Sequence, residues 1–358
     1  MFKTLHRVIF LFIFSSFLIS WGSVGHRTIN YKCPESFPVS MNAFKIWADS
    51  LQMNGSVADN RKSSDPNESP KHYIDIDNYS EFISTGRIAS TYDSVVVRHG
   101  SSFVVSNGTL PWATLNTYDS LKVAFQQRKW HKAMLLASDL GHYVADGHMP
   151  LHITANYDGG LTNQSGIHSR YESNMVGTYS SSLSNYAGST VNQITNKNKY
   201  VLNYIYSNYP YVDSVLKADT YAKNLAGNNT STQYYTALWS KTRFTTTLFK
   251  NASHSLAELI YTAWVEAGSP AFGSTVISSI PTALAENNIS FYPNPTNGII
   301  KLIGDDILKA EIKNISGISL GLFYDNHIDI SSLPNGIYFV SIYGKNGLLK
   351  KEKVLLNK

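Results

Sequence analysis

Residues 140–172 read LGHYVADGHMPLHITANYDGGLTNQSGIHSRYE, and the rest of the chain is best read outward from them. The stretch contains His142, Asp146, His152, His168 and Glu172. His142/Asp146 and His168/Glu172 each stand four residues apart, a spacing that brings two side chains onto one helix face, about 5–6 Å apart at Cβ. Either pair alone is accounted for by a surface hydrogen bond or ion pair. Two such pairs, with His152 between them, make a donor set of imidazoles and carboxylates suited to a divalent metal. Pro150 disfavours helix continuation and turns the chain so that His152 can face back.

Upstream, Asp119–Gly147 has the strongest helical pattern in the chain. Leu121, Val123, Phe125, Trp130, Met134, Leu140 and Val144 fall on its apolar face, and Asp119 and Ser120 offer N-caps. Met41–Gln52 also reads as helix, Gly55–Lys71 as polar loop, and Val95–Val105 as β-prone or irregular. Downstream, Thr190–Leu216, Thr220–Ala226 and Gln233–Gly268 read as helical, with a break expected at Pro210. The polar loop carries Asp59, Arg61 and Asp65 and leads into His72, so a loop carboxylate and His72 are a further candidate ligand pair. Arg61 is a candidate clamp for a substrate phosphate. His99, His131 and His254 stand outside any such pattern, and His148 is read as supporting the site or facing solvent.

The first twenty residues are read as a signal peptide. Lys3 and Arg7 precede an apolar run, Val8–Ile19, that is short for a membrane span, which needs ~20 residues. Cleavage after Ser20 would make Trp21 the mature N-terminus. Its free amino group and carbonyl can then chelate a metal, with His26 nearby as a third donor. Removing Lys3 and Arg7 from the 30 basic residues leaves 28 against 25 acidic ones, a net +3 too weak to argue for nucleic acid by bulk charge. Charged residues make up only 15% and aromatics 13%, which is the composition of a folded core and not of a disordered chain. Cys33 is the only cysteine, so neither an intrachain disulfide nor a zinc–thiolate cluster can form.

The character changes after Gly268. Residues 269–288 read as a linker, and 289–358 carry short β-like runs at Ile289–Tyr292, Ile299–Ile303, Ala310–Asn314, Gly336–Tyr343 and Lys350–Leu356. Turn signals such as Asn-Gly separate them, which predicts a small β-sandwich. It holds no cluster of chemical residues beyond the isolated His327.

HYVADGHMPLH and GIHSRYE resemble the signature of the zinc-dependent phospholipase C and fungal-type single-strand nuclease superfamily. The resemblance spans Trp21 to about Gly268 and implies a multi-helix domain over residues 21–268, mainly α, holding three zinc ions. It assigns His72, His142 and Asp59 to the first zinc, which shares Asp146 with a second. The second also takes His26 and the terminal groups of Trp21. His152, His168 and Glu172 hold the third. Asp49 and Asp65 compete with Asp59, which lies closest to the family interval before His72. Asp59 and Asp146 are the catalytic carboxylates of this scheme, in which water between two zincs attacks phosphorus. Met149 stands where the family usually has Gln.

Glu172, the HSRYES helix and Gly159-Gly-Leu161 in place of Gly-Gly-Asn resemble the phospholipases. The W-x-x-x-G-H spacing and Asn60 in place of Tyr favour the nucleases. Phospholipid is therefore the first substrate reading and single-stranded nucleic acid the alternative, with a non-catalytic, zinc-stabilised binding protein as a reading of another class. FYPNPTNG, LPNGIYFV and KKEKVLL resemble a type IX secretion sorting domain. That resemblance implies passage through the periplasm to the outer surface or medium, the type IX machinery as partner, and no stable protein partner otherwise.

Overall fold

In the computed structural model, the described residues are 22–274, 289–315, 318–344 and 347–358. The chain forms two compact units, divided at Val276/Ile277. The first is helical. Its main helices are α1 (Gly22–Lys32), α2 (Leu110–Gln126), α3 (Trp130–Asp146), α4 (Pro210–Ala226), α5 (Thr232–Lys241) and α6 (Thr245–Glu266). Shorter helical turns join them, and several of these carry the residues of the candidate site.

The second half of α3 is the hub. Leu140 to Asp146 are all buried, because three apolar clusters meet around this segment. Leu140 and Val144 join Phe125, Leu256 and Ile260; Ala145 joins Ile29, Leu151, Tyr171 and Phe249; Tyr143 joins Ile74, Trp112 and Ile205. A helix segment apolar on every side belongs inside a protein. His142 and Asp146 are carried inward with it, both at 0% exposure.

The expected helix from Asp119 to Gly147 is two helices. The break falls at residues 127–129, where Gln127, Arg128 and Lys129 interrupt the apolar period and Arg128 takes a left-handed φ of 51°. Val95–Val105, read as β-prone or irregular, lies in two short helices, Tyr92–His99 and Ser101–Ser106. Their β-branched residues pack Val95 and Val104 into a helical core, and tertiary packing overrides the local preference. The expected break at Pro210 is present as a boundary: Pro210 is the first residue of α4, where its missing N–H costs nothing. Helix starts seven residues later than Thr190, at Lys197.

The second unit is a β-sandwich. One sheet has the order β1 (Ser290–Tyr292), β2 (Ile299–Ile303), β5 (His327–Asp329). The other has the order β4 (Ser319–Phe323), β3 (Lys309–Lys313), β6 (Gly336–Gly344), β7 (Gly347–Leu356). All of these strand pairs are antiparallel. Alternation places Ile300 and Leu302 of one sheet and Ala310, Ile312, Val340 and Ile342 of the other in a common core. β4 and β5 were not expected; β4 contains Gly321 and β5 is only three residues long, so neither offers a period to detect.

Candidate metal centre

Seven short-range structures deliver the donors. α1 carries His26, the helix Val57–Arg61 carries Asp59, and the 3-10 turn Ser69–His72 ends at His72. α3 carries His142 and Asp146, and the turn Pro150–His152 brings His152 back, as expected of Pro150. A helical turn, Ile167–Ser169, and the π-turn after it, Arg170–Met175, hold His168 and Glu172. α1 can lie against α3 because Gly141 has no side chain: a Cβ there would stand 1.7 Å from Asn30 Oδ1.

The donors fall into three groups, of which the first two share His142: His26, His142 and Asp146; Asp59, His72 and His142; and His152, His168 and Glu172. The central group is the best defined. His142 Nε2 lies 3.0 Å from His72 Nδ1, and Asp146 Oδ2 lies 3.1 Å from His72 Nδ1 and 3.4 Å from His142 Nε2. Asp59 Oδ1 lies 3.6 Å from His72 Nδ1 and 3.5 Å from His142 Nε2. Each of these five separations is close to the spacing of two ligands on one zinc. Four N and O ligands about 2.0–2.1 Å from one zinc stand roughly 3.3 Å from each other. Asp146 turns its other oxygen, Oδ1, towards His26 Nε2 at 3.4 Å, so one carboxylate serves two groups. In the third group Glu172 Oε2 lies 3.1 Å from His168 Nε2 and 3.3 Å from His152 Nε2.

The tautomers suit ligation. His142, His152 and His168 each place Nδ1 on a backbone carbonyl, of Gly55 at 2.8 Å, His72 at 2.7 Å and Tyr157 at 3.0 Å. A carbonyl only accepts, so each Nδ1 carries the hydrogen, which leaves Nε2 of each ring as the atom that faces the group. His152 Nε2, Asp59 Oδ2 and both Glu172 oxygens are buried without a hydrogen-bond partner. Buried polar atoms are rarely left so, and cations held by the two groups these atoms belong to account for them. This donor set fits a metal.

The charges agree. Burial, and then His142, lowers His26 to about 3, which leaves it a neutral donor. Burial pushes Glu172 up, but His168 and His152 outweigh it and hold its carboxyl near 2. Against the same opposing burial, the surrounding imidazoles keep Asp146 well below the usual carboxylate range. His152, despite burial, is drawn up to about 10 by Asp146 and Glu172, which marks a place that favours positive charge.

A cleft of about 280 Å³ opens onto the groups at His72, His152 and His168. Lys62, Tyr73, Asp75, Leu151 and Tyr157 also line it. None of these five was singled out in the sequence, because nothing in their spacing marks them as neighbours. Lys62 Nζ donates to Asp59 Oδ1 at 2.8 Å and is the cation of the cleft wall.

Arg61 does not take the place foreseen for it. Its guanidinium is held by Asp139 at 3.0 Å, Glu68 at 3.1 Å and Tyr143 at 3.3 Å, and it lines a separate hollow. The local sequence could not reveal this, since Asp139 and Tyr143 are about eighty residues away in the chain. His148 joins no donor group; it is buried, donates from Nδ1 to Val144 O and stacks on Tyr204. Asp49 and Asp65, the competitors of Asp59, belong to none of the three groups. Trp21 and the signal-peptide residues lie outside the described residues, as does most of the linker.

Residues 290–357 match the family described as secretion system C-terminal sorting domain. The β unit is therefore a sorting domain, and the chain is directed by type IX secretion to the outer surface or the extracellular space. Among the described residues no helix is long and apolar enough to cross a membrane. No curated protein matches the chain in sequence. Among solved structures, the alpha toxin from Clostridium absonum is similar, with TM-score 0.43 and 11% identity, over 94% of this chain and 96% of that one. The Clostridium perfringens alpha-toxin from avian strain SWCP is similar with TM-score 0.44 and 11% identity, over the same shares.

Proposed function

We propose that the helical unit is a secreted phosphodiesterase that holds three zinc ions and cleaves phospholipids. The observation that carries the proposal is the convergence of Asp59 and Asp146 on His72 and His142, with the second oxygen of Asp146 turned towards His26. Asp59, His72, His142 and Asp146 would hold one ion, and Asp146, His26 and the terminal groups of Trp21 another. His152, His168 and Glu172 would hold the third. Once bound, the ions would supply Lewis acidity at phosphate oxygens and would lower the pKa of water enough for it to give up a proton near neutral pH.

The protein's own part is positioning. Backbone carbonyls lock His142, His152 and His168, and Asp146 serves two groups at once. Burial keeps competing water away from these donors, and the cleft admits substrate on the side of His72, His152 and His168. Lys62, on the cleft wall, can meet a phosphate oxygen. No side-chain nucleophile is required.

The rim favours lipid. Tyr157 lines the cleft and is 46% exposed, and Leu161, in the same loop, is 78% exposed. Exposed apolar side chains in the loop that brings Tyr157 to the cleft suit a substrate held in a membrane or micelle surface. Tyr73 and Tyr157 would also stack a nucleobase, which keeps single-stranded nucleic acid as the second substrate class.

The test is turnover by the zinc-loaded mature protein on phosphatidylcholine vesicles and on single-stranded DNA and RNA. Release of phosphocholine is expected. His142→Ala should lower the rate by roughly 10³-fold or more, the scale of losing several kcal/mol of metal assistance. Cleavage of nucleic acid alone would move the assignment to a nuclease. Three bound zincs with no turnover on any substrate would make the metals structural and the protein a binding module.

A further inference from the structure

We infer that Glu68 is a positioning residue for the His72 donor, and that Arg61 and Tyr143 act on the site by holding Glu68; this rests on the metal reading proposed above. The argument begins with an asymmetry. His142, His152 and His168 are each fixed by an Nδ1–H donated to a backbone carbonyl, and each presents Nε2. His72 is reversed. Its Nδ1 faces His142 Nε2 at 3.0 Å and Asp146 Oδ2 at 3.1 Å, so it is Nε2 that must carry the hydrogen if Nδ1 is to ligate. His72 Nε2 is buried and makes no hydrogen bond as the side chains stand, and the carboxylate oxygen beside it is Glu68 Oε1, at 3.4 Å. A carboxylate in that place selects the tautomer and makes Nδ1 a stronger donor, a role that outer carboxylates commonly fill at histidine ligands.

Glu68 is itself held from every side. It is 1% exposed; Tyr143 donates to Oε1 at 2.6 Å, Arg61 to Oε1 at 3.1 Å and Lys71 to Oε2 at 2.6 Å. The second guanidinium nitrogen of Arg61 is tied to Asp139. Two cations and a hydroxyl around one buried carboxylate amount to far more support than a structural ion pair in this turn would need. The support also comes from the helix that carries the ligands, because Tyr143 is the neighbour of His142 on α3. Arg61, Glu68, Lys71, Asp139 and Tyr143 line a common hollow distinct from the cleft that Lys62 and Tyr157 line. Substrate in the cleft therefore meets Lys62, while Arg61 reaches the reaction through Glu68 and His72.

The experiment uses the full-length protein, loaded with zinc or cobalt. Glu68→Gln keeps the shape and a hydrogen-bond acceptor but removes the charge; Tyr143→Phe removes one hydroxyl and is the milder variant if the first does not fold. Both should retain the wild-type circular dichroism spectrum. Both should weaken one of the bound metals by roughly 10- to 100-fold in chelator competition and alter the cobalt d–d absorption of that site. Arg61→Gln should weaken the same metal and lower kcat with KM within about twofold of wild type. Wild-type metal affinity and an unchanged cobalt spectrum in Tyr143→Phe and in a folded Glu68→Gln would overturn the inference. So would a rise in KM in Arg61→Gln with metal affinity unchanged, which would make Arg61 a phosphate contact. Failure of the wild-type protein to bind divalent metal would instead sink the functional proposal itself.

Discussion

Asp75 is a carboxylate in the cleft wall that burial, reinforced by Asp77, raises from 3.8 to about 6. The folded protein therefore keeps a proton on Asp75 at pH values where the unfolded chain has lost it. This contribution to stability is fully present below about pH 4 and is lost as pH rises towards 6. After allowance for its partial exposure, the loss amounts to about 2 kcal/mol or less. Asp75→Asn should lack it. Urea unfolding at pH 4 and pH 7 is expected to show the variant gaining on wild type across that interval; a difference that stays constant with pH would contradict the burial argument. At this scale the sequence marks ligands far better than it marks their supports. His142 and Asp146 share a helix face by spacing alone. Glu68 and His72 stand four residues apart as well, but that His72 presents Nδ1 and turns Nε2 to Glu68 depends on ring orientation, which no spacing encodes.

Among the elements, α3 does most to build the site, and its approach to α1 is set by one residue. A Cβ on Gly141 would meet Asn30 Oδ1 at 1.7 Å and Leu256 Cδ2 at 2.7 Å, so Gly141→Ala must push α1 away from α3 or distort both. Asn30 has little room to yield, since its Nδ2 donates to Ser138 O and Ser253 holds the neighbouring Ile29 carbonyl. Overpacking of this kind costs roughly 3 kcal/mol, and it would displace His26 together with α1. Denaturant unfolding should show that loss along with weakened metal binding; a variant within about 0.5 kcal/mol of wild type would mean the helices can part freely. The apolar period of Asp119–Gly147 was legible, but its interruption was not. Three polar residues are too short a signal to separate a kink from a boundary, and the left-handed turn at Arg128 settles it. The helices across Val95–Val105 were missed because β-branched residues carry a strand preference that burial of Val95 and Val104 overrides.

At the scale of the molecule, chemistry and export reside in separate units. The described residues of the β-sandwich contain no donor group, and the three groups lie wholly in the helical unit. Deletion of residues 289–358 should therefore leave zinc content and turnover unchanged while the protein accumulates in the periplasm of its host; normal appearance of the truncated chain at the cell surface or in the medium would refute the division. The sequence by itself determined that the chain is mainly α with a small β-sandwich after it, that the sandwich is a sorting domain, and that residues 140–172 carry paired imidazoles and carboxylates. Those features are local: they depend on period, turn residues and i,i+4 spacing. Only the tertiary structure decided which carboxylate upstream of His72 joins His142, that Asp146 divides its oxygens between two groups, and that Arg61 turns to Glu68 and Asp139. Those contacts join residues distant in the chain, and their geometry exists only once burial around α3 has brought the helices together.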